Sequence, residues 1–473
     1  MAAVLAAGTG EIPTGFEQIA KIMPTSSATG GHLGKSVDIF ENVLIVGAPY
    51  QGDESQGPGY AQVAVFSDWD GSIAETIDLS ASDGAAGDLF GMRVVIGEID
   101  GSASGSGVAY VSAPGRAGEG VPSYAGAVYV FAGDGGDVIT EITTLTPFDG
   151  DASRRFGTSL FFDGGRLAVG APYDGTAGAA NHGAAYIYTL GVDGIPTHSE
   201  RVQCDTPTAN QYFGWSIAID GDRMAVGAIV DSAVEYQAGA VYVFERQPDD
   251  SWDQIEIVAP AGLATGDWHG TDVAISGDLL VTSSINFDHV QGDDVFSNSG
   301  VVHVFKWDGV EYQQVQQILP PLMDLSIAWG GSLDFDGAHL VIGGDGWDNN
   351  GDADSGAAAV YEYDPDNHFI NPRVIIGSDV VALAHFGTSV AVHGDRVAVG
   401  SREDQFDYGG SVYIFEPACG GDLDYDGLID HDDILDVVQS WGDSSITTAD
   451  VVQDFDVNIH DLLIVLQYYG TCG

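Results

Sequence analysis

Basic residues are the scarcest resource of this sequence. Fourteen Lys and Arg stand against seventy Asp and Glu in 473 residues, a formal net charge of −56. A surface of that sign repels nucleic-acid phosphates and anionic headgroups, which excludes nucleic acid as a partner. It attracts divalent cations and stays soluble where salt screens its self-repulsion. Two readings of the acidity stand: adaptation to a saline habitat, and a store of metal ligands. Most of the acids are scattered singly, so only a minority fit the second. Cysteine is almost missing. Cys204, Cys419 and Cys472 form no CxxC or Cys/His cluster, which removes zinc and dithiol chemistry from consideration. Cys204 reads as buried rather than reactive. No apolar run is long enough to span a bilayer, so no membrane insertion is expected. The apolar start, residues 1–7, is too short for a signal peptide and has the make-up of the end of a trimmed one. Proline is not enriched, and no segment is of low complexity.

Glycine is abundant, with 66 residues, and hydrophobic residues make up 44%. That pairing fits many short strands joined by tight turns, not disorder. The length suits one large domain and one small one.

A hydrophobic or aromatic residue followed by Gly recurs seven times: Leu33-Gly34, Phe90-Gly91, Phe156-Gly157, Phe213-Gly214, His269-Gly270, Trp329-Gly330 and Phe386-Gly387. The glycines are 57, 66, 57, 56, 60 and 57 positions apart. Each pair precedes an alternating strand, such as Trp215–Ile219, whose period of two marks a half-buried strand. A Gly/Asp turn follows, as at Asp220-Gly221-Asp222. A small apolar strand then ends in Val-Gly-Ala-Pro, intact at Val46–Pro49 and Val169–Pro172 and weakest at Val281–Ser284. A third strand comes after a polar loop, for example Gly239–Phe244, and in most copies a fourth. Four antiparallel strands repeated radially make a propeller. The expected fold is therefore all-β, a seven-bladed β-propeller over residues 16–416. The last copy runs from Phe415 straight into Glu416-Pro417 with no fourth strand, while a spare strand, Phe16–Met23, precedes the first copy. Residues 16–24 are expected to complete blade seven and remove its open edge.

The Phe-Gly and Gly-Ala-Pro repeats resemble the FG-GAP repeats of integrin α-chain propellers and of bacterial secreted proteins. The resemblance implies an extracellular setting, secreted or at the cell surface, and a role in recognising an extracellular protein or polysaccharide. Integrin-like blades often hold calcium in an Asp-rich hairpin between the first two strands. Most hairpins here are too short for that. In blade two, Glu98, Asp100, Ser102 and Ser104 alternate in the way a calcium loop needs. A polar hairpin without an ion is the other reading. Asp345, Asp348, Asp352 and Asp354 in blade six read as a solvated face.

From Asp422 the pattern becomes an EF-hand-type loop. Asp422, Asp424 and Asp426 take positions 1, 3 and 5, Gly427 the bend, Leu428 a carbonyl ligand, Asp430 position 9 and Asp433 position 12. Ile434, Leu435, Val437 and Val438 follow as the apolar face of a helix. A second copy places Asp450, Asp454, Asp456, Asn458 and Asp461 at positions 1, 5, 7, 9 and 12, with Val452 and Phe455 where an oxygen and a Gly are usual. Two such units within residues 417–473 resemble a type I dockerin, a small α-helical calcium-binding module. That resemblance implies calcium as cofactor and a cohesin-like partner, or a terminal tag for surface attachment or export. Positions 10 and 11, often Ser-Thr in the family, are His431-Asp432 and Ile459-His460. Cys419 and Cys472 bracket the module, so a disulfide would staple its ends; two free thiols are the alternative.

Together these features lead to a monomeric, calcium-binding recognition protein. The alternative is a polysaccharide lyase or hydrolase built on the propeller. His269 and His385 fall on repeat positions, which assigns them to the scaffold, and neither a nucleophile elbow nor a metalloprotease helix is present.

Overall fold

A computed structural model describes residues 16–417, except 26–29, 51–56, 68–72, 99–106, 118–123, 134–138, 149–153, 176–179, 192–193, 292–293, 322–325, 349–352, 367 and 405–408. Ile434 and Val438, both in helical conformation, are the two described positions beyond. The C-terminal module, with both calcium loops and Cys419 and Cys472, lies outside the described residues.

The described chain forms seven four-stranded antiparallel sheets. Their first strands are Ser36–Phe40, Val94–Glu98, Ser159–Asp163, Phe213–Asp220, His269–Ser276, Ser332–Phe335 and Phe386–His393. Each packs against the first strands of the blades before and after it, so the seven surround a common axis. This is a seven-bladed β-propeller. The outer strands are Ile73–Leu79, Ile139–Leu145, Pro196–Val202, Trp252–Val258, Tyr312–Ile318, His368–Ile375 and, for blade seven, Phe16–Ile22. Phe16–Ile22 pairs antiparallel with Ser411–Pro417, from Phe16 opposite Pro417 to Ile22 opposite Val412. The two ends of the ring thus share one sheet. The described residues also include a short hairpin that the repeat gave no sign of, His289–Gln291 paired with Asp294–Phe296, between the second and third strands of blade five.

The core is divided among the seams. Seven apolar clusters among the described residues each join side chains of two neighbouring blades. Outer strands alternate instead, as in Trp252–Val258, where every second side chain faces solvent. Burying two faces of three strands per blade explains their near-continuous apolar runs; the half-solvated fourth strand explains its period of two.

The repeated dipeptides are the hinge of each seam. The residue before each repeat Gly is fully buried, from Leu33 through Phe90, Phe156, Phe213, His269 and Trp329 to Phe386. Each makes a parallel bridge to a Gly opening the third strand of the preceding blade: Phe213 with Gly183, Phe386 with Gly356, and, closing the ring, Leu33 with Gly410. The second Gly of one repeat then faces the Gly of Gly-Ala in the blade before. A Cβ on Gly47 would lie 1.9 Å from the Gly91 carbonyl oxygen, and one on Gly170 would lie 2.0 Å from that of Gly214. Two backbones touch where any side chain would separate them.

Inner-strand edges would expose unpaired amides, and side chains of the preceding blade take them. Asp38 accepts the Ile96 N–H at 2.6 Å, Asp272 that of Leu333 at 2.9 Å, and Asp334 that of Val392 at 2.7 Å. Ser36 accepts from Val94 at 3.1 Å.

Candidate functional site

One end of the ring, here called the upper face, gathers two sets of loops. One set joins the second and third strands of each blade; the other brings the chain from an outer strand to the next inner strand. They are stitched by backbone hydrogen bonds: Arg155 N–H to Tyr124 O at 2.9 Å, Tyr212 to Asn181 at 3.1 Å, Ala328 to Asn298 at 3.3 Å and His385 to Asp354 at 3.1 Å. The residue just before each buried repeat aromatic has a left-handed backbone in all seven blades: His32, Leu89, Arg155, Tyr212, Trp268, Ala328 and His385, with φ between 49° and 61°. Gly, Asn or Asp suits such a position, and a bulky residue there is strained by about 1–3 kcal/mol. Blades three, four and five nonetheless carry Arg155, Tyr212 and Trp268.

Those side chains meet aromatic neighbours. The Arg155 guanidinium lies 4.6 Å from the ring centre of Tyr173 and 5.3 Å from that of Tyr124. Tyr173 packs edge-on against Tyr212 with centroids 5.2 Å apart. Tyr124, Arg155, Tyr173 and Tyr212 therefore form a ladder over blades two to four, and Tyr124 is 45% exposed. Trp268, 38% exposed, holds the equivalent position in blade five.

Buried acids hold this face from beneath. Asp174 takes Arg201 at 2.9 Å, Tyr186 at 3.0 Å and Arg154 at 3.4 Å, and Arg154 also contacts the Tyr186 hydroxyl. Asp231 accepts from Gln211 at 2.6 Å and Tyr242 at 2.8 Å. Asp404 accepts from Ser411 at 2.6 Å and Tyr413 at 2.9 Å and pairs with Lys21 at 2.7 Å. Burial first, and then the adjacent carboxylates, push the Tyr242 and Tyr413 hydroxyls far up, so both remain donors. The sequence signal was available: all three acids stand three residues after the end of the Gly-Ala strand. They were missed because scattered acids looked alike.

Blade five departs from this scheme in a concerted way. Blades two, three, four and seven pair the repeat Phe with a third-strand Tyr, as Phe213 with Tyr242 at 5.5 Å; here His269 faces His303 at 5.6 Å. Phe287 stands where blade four has Asp231, in the same turn. Both imidazoles are buried, and neither Nε2 has a partner. Burial lowers the His303 pKa to about 4 and that of His269 well below its usual value.

The axial channel is lined by half-buried charges on the inner strands, Asp38, Asp272 and Asp334, or just before them, Lys35 and Arg93. Burial raises the carboxyl pKa of Asp38 and Asp272 to about 6 and of Asp334 to about 7. A shallow surface depression lined by Arg166, Glu200, Arg246 and Trp252 among others lies between blades three and four, away from the mouth.

The residues expected to bind metal fall elsewhere. Glu98 ends the inner strand of blade two, while Asp100, Ser102 and Ser104 lie outside the described residues. So do Asp422, Asp424, Asp426, Leu428, Asp430, Asp433, Asp450, Asp454, Asp456, Asn458 and Asp461. Among the described residues no group of three or more His, Cys, Asp or Glu is arranged to hold a metal ion. In blade six the acidic loop is partly engaged rather than simply solvated. Asp345 pairs with Arg402 at 2.9 Å, and Asp348 accepts the Asp354 N–H at 2.8 Å; Asp352 is not among the described residues. Cys204 is buried, with its thiol 3.6 Å from Gln211 Oε1 and its pKa raised by burial.

The fold defines the class, a seven-bladed propeller whose seams are made by aromatic-Gly and Gly-Ala contacts. The FG-GAP repeat family model matches residues 16–64, 139–188, 206–244 and 373–415. The propeller thus contains FG-GAP repeats. Three of these matches begin on the outer strand of one blade and run into the first three strands of the next, so the sequence unit is offset from the blade by one strand. FG-GAP propellers are typically extracellular and suggest ligand binding or recognition. No curated protein matches the chain. No helix among the described residues is long and apolar enough to cross a membrane.

Proposed function

We propose that this chain is a secreted recognition protein that binds an extracellular glycan on its upper face, across blades two to five. The choice of Arg155, Tyr212 and Trp268 at left-handed positions carries this reading. Backbone preference favours Gly or Asn there, so the local backbone does not account for these three side chains. Tyrosine and tryptophan present large rigid surfaces at low entropic cost and stack on the C–H faces of sugars, while Arg155 adds donors for hydroxyl oxygens. Tyr212→Asn tests this. It suits the backbone and removes the ring, so the melting temperature should hold or rise while retention of neutral polysaccharides falls about tenfold. Unchanged retention across a panel of neutral and acidic polysaccharides would refute the reading.

The tail completes the proposal. Asp422, Asp424, Asp426, Leu428, Asp430 and Asp433 supply the oxygen set of a calcium loop, and Asp450, Asp454, Asp456, Asn458 and Asp461 that of a weaker second one. The module would attach the propeller to a cohesin-like partner or a surface. Calorimetric calcium titration of the full chain against a double Asp422→Ala/Asp424→Ala variant tests the loop. Equal heats from both proteins would count against it.

A further inference from the structure

Among fourteen cations in so acidic a chain, a carboxylate partner is the default. Lys21, Arg116, Arg201, Arg246, Arg373, Arg396 and Arg402 each have one within 3.3 Å. Arg155 and Arg223 lie over aromatic rings instead. Lys35, Arg93 and Lys306 have neither among the described residues, and of these Lys35 and Arg93 stand together. Lys35 and Arg93 are half-buried, each one residue before an inner strand at the top of the axial channel, and neither side chain has a hydrogen bond or ion pair to a described residue. They are neighbours, because the Val94 N–H bond to Ser36 Oγ at 3.1 Å sets the two strands side by side.

The nearby carboxylates match them in number but make no contact with them. Around Lys35 stand Arg93, Arg402, Asp345 and Glu403. Asp345 and Glu403 are already engaged by Arg402, at 2.9 and 3.3 Å. Arg93 faces Asp272, whose Oδ2 is taken by the Leu333 N–H at 2.9 Å. Two adjacent like charges in a confined, water-reached channel repel each other, and an anion placed between them relieves that repulsion.

We propose that Lys35 and Arg93 form an oxyanion-binding site at the mouth of the channel, which accepts one carboxylate or sulfate group of the ligand. The site rests on reading the upper face as the ligand face, and it deepens that reading: the glycan carries an acidic substituent. One charge is accommodated, not a polyanion, since the rest of the surface is strongly negative. Arg93 supplies the planar fork and Lys35 the point charge. Burial, together with Arg93 and Arg402, lowers the Lys35 pKa to about 8, so near that pH binding of an anion draws a proton onto the neutral amine fraction.

The test is calorimetry of the full chain at pH 8 with glucuronate and with inorganic sulfate, each in two buffers of different ionisation enthalpy. The expected result is saturable binding with proton uptake. Lys35→Met should abolish the uptake and weaken binding about tenfold or more, and Arg93→Gln should weaken binding with the uptake reduced. Binding of glucuronate alone assigns a carboxylate; binding of sulfate as well assigns a sulfate-bearing ligand too. No saturable binding, or equal binding by parent and variants with unchanged melting temperatures, overturns the site. Tyr212→Asn keeps the two proposals apart. If it still binds glucuronate but loses neutral glycan, the ladder stands whatever the fate of Lys35. If glucuronate binding depends on Lys35 while the ladder variants bind polysaccharide normally, the ladder reading fails alone.

Discussion

Gly400 in blade seven lies against Gly34 in blade one: a Cβ on Gly400 would sit 2.1 Å from the Gly34 carbonyl oxygen. This is the contact that Gly47 makes with Gly91, repeated at the point where the chain must meet its own beginning. Ser389 Oγ donates to the same Gly34 oxygen at 2.8 Å. The closing seam is therefore built like those within the ring.

Gly400→Ala should destabilise the propeller by about 3 kcal/mol or more, since backbone atoms must move apart. Gly107, with open space around its Cβ position and no left-handed φ, serves as control. Gly107→Ala should be neutral or slightly stabilising. Urea unfolding of both variants checks the contrast, and equal effects would remove the seam argument.

Removing residues 1–24 should lower the stability of the whole ring, because blade seven loses its outer strand and the Phe16 and Ile22 side chains leave two seam clusters. A milder version is Lys21→Met. It removes the cation beside Asp404, whose side chain is 1% exposed; Ser411 and Tyr413 still donate to that carboxylate, so the cost should fall below the roughly 3–5 kcal/mol of a fully broken buried pair. Asp404→Asn in the same background should recover part of the loss. Melting curves for the three proteins decide it.

The channel carboxylates make neutral pH unfavourable. The Asp334 pKa is raised to about 7, and those of Asp38 and Asp272 to about 6. Between about pH 4 and those values the folded state binds more protons than the unfolded chain, so their contribution to stability falls as pH rises through that window. Asp334→Asn keeps an acceptor for the Val392 N–H and removes the charge. The variant should gain on its parent at pH 8 relative to pH 4.5; a gap independent of pH would contradict the assignment.

His269 and His303 act in the opposite sense. Their folded pKa values are lowered, that of His303 to about 4. The unfolded chain takes up protons below about pH 6.5 while the folded one does not, so the stability they contribute is lost as pH falls from there towards 4. The double variant His269→Phe/His303→Phe should resist acid better than the parent. Phe is chosen at 303 because Phe287 stands where other blades offer a carboxylate to a Tyr hydroxyl. Denaturation midpoints at pH 4.5 and 7.5 measure the difference, and identical acid sensitivity would rule the pair out as its source.

Much of the fold was legible because its determinants are local and repeated. Phe213-Gly214 and Val226-Gly227-Ala228 each announce a strand start or end, and seven copies in phase leave one architecture. The spare strand at Phe16 and the missing one after Phe415 also belonged to a counting argument. The upper face was not legible in the same way. Tyr124, Arg155, Tyr173 and Tyr212 lie far apart in a list of residues, and their ladder exists only because hydrogen bonds between loops of successive blades bring them into line. Asp174, Asp231 and Asp404 were hidden among seventy acids, since burial, not residue type, separates them from the rest.

The sequence by itself determined the number of blades, the order of strands and the close backbone contacts of the seams, because each depends on glycine or on a period of two at fixed positions. Only the tertiary structure decided which charges are paired. Lys35 has none of the chain's seventy carboxylates as a hydrogen-bonded partner among the described residues, although Asp345 and Glu403 stand nearby. Pairing requires contact distance and a free oxygen, and the folded ring fixes both.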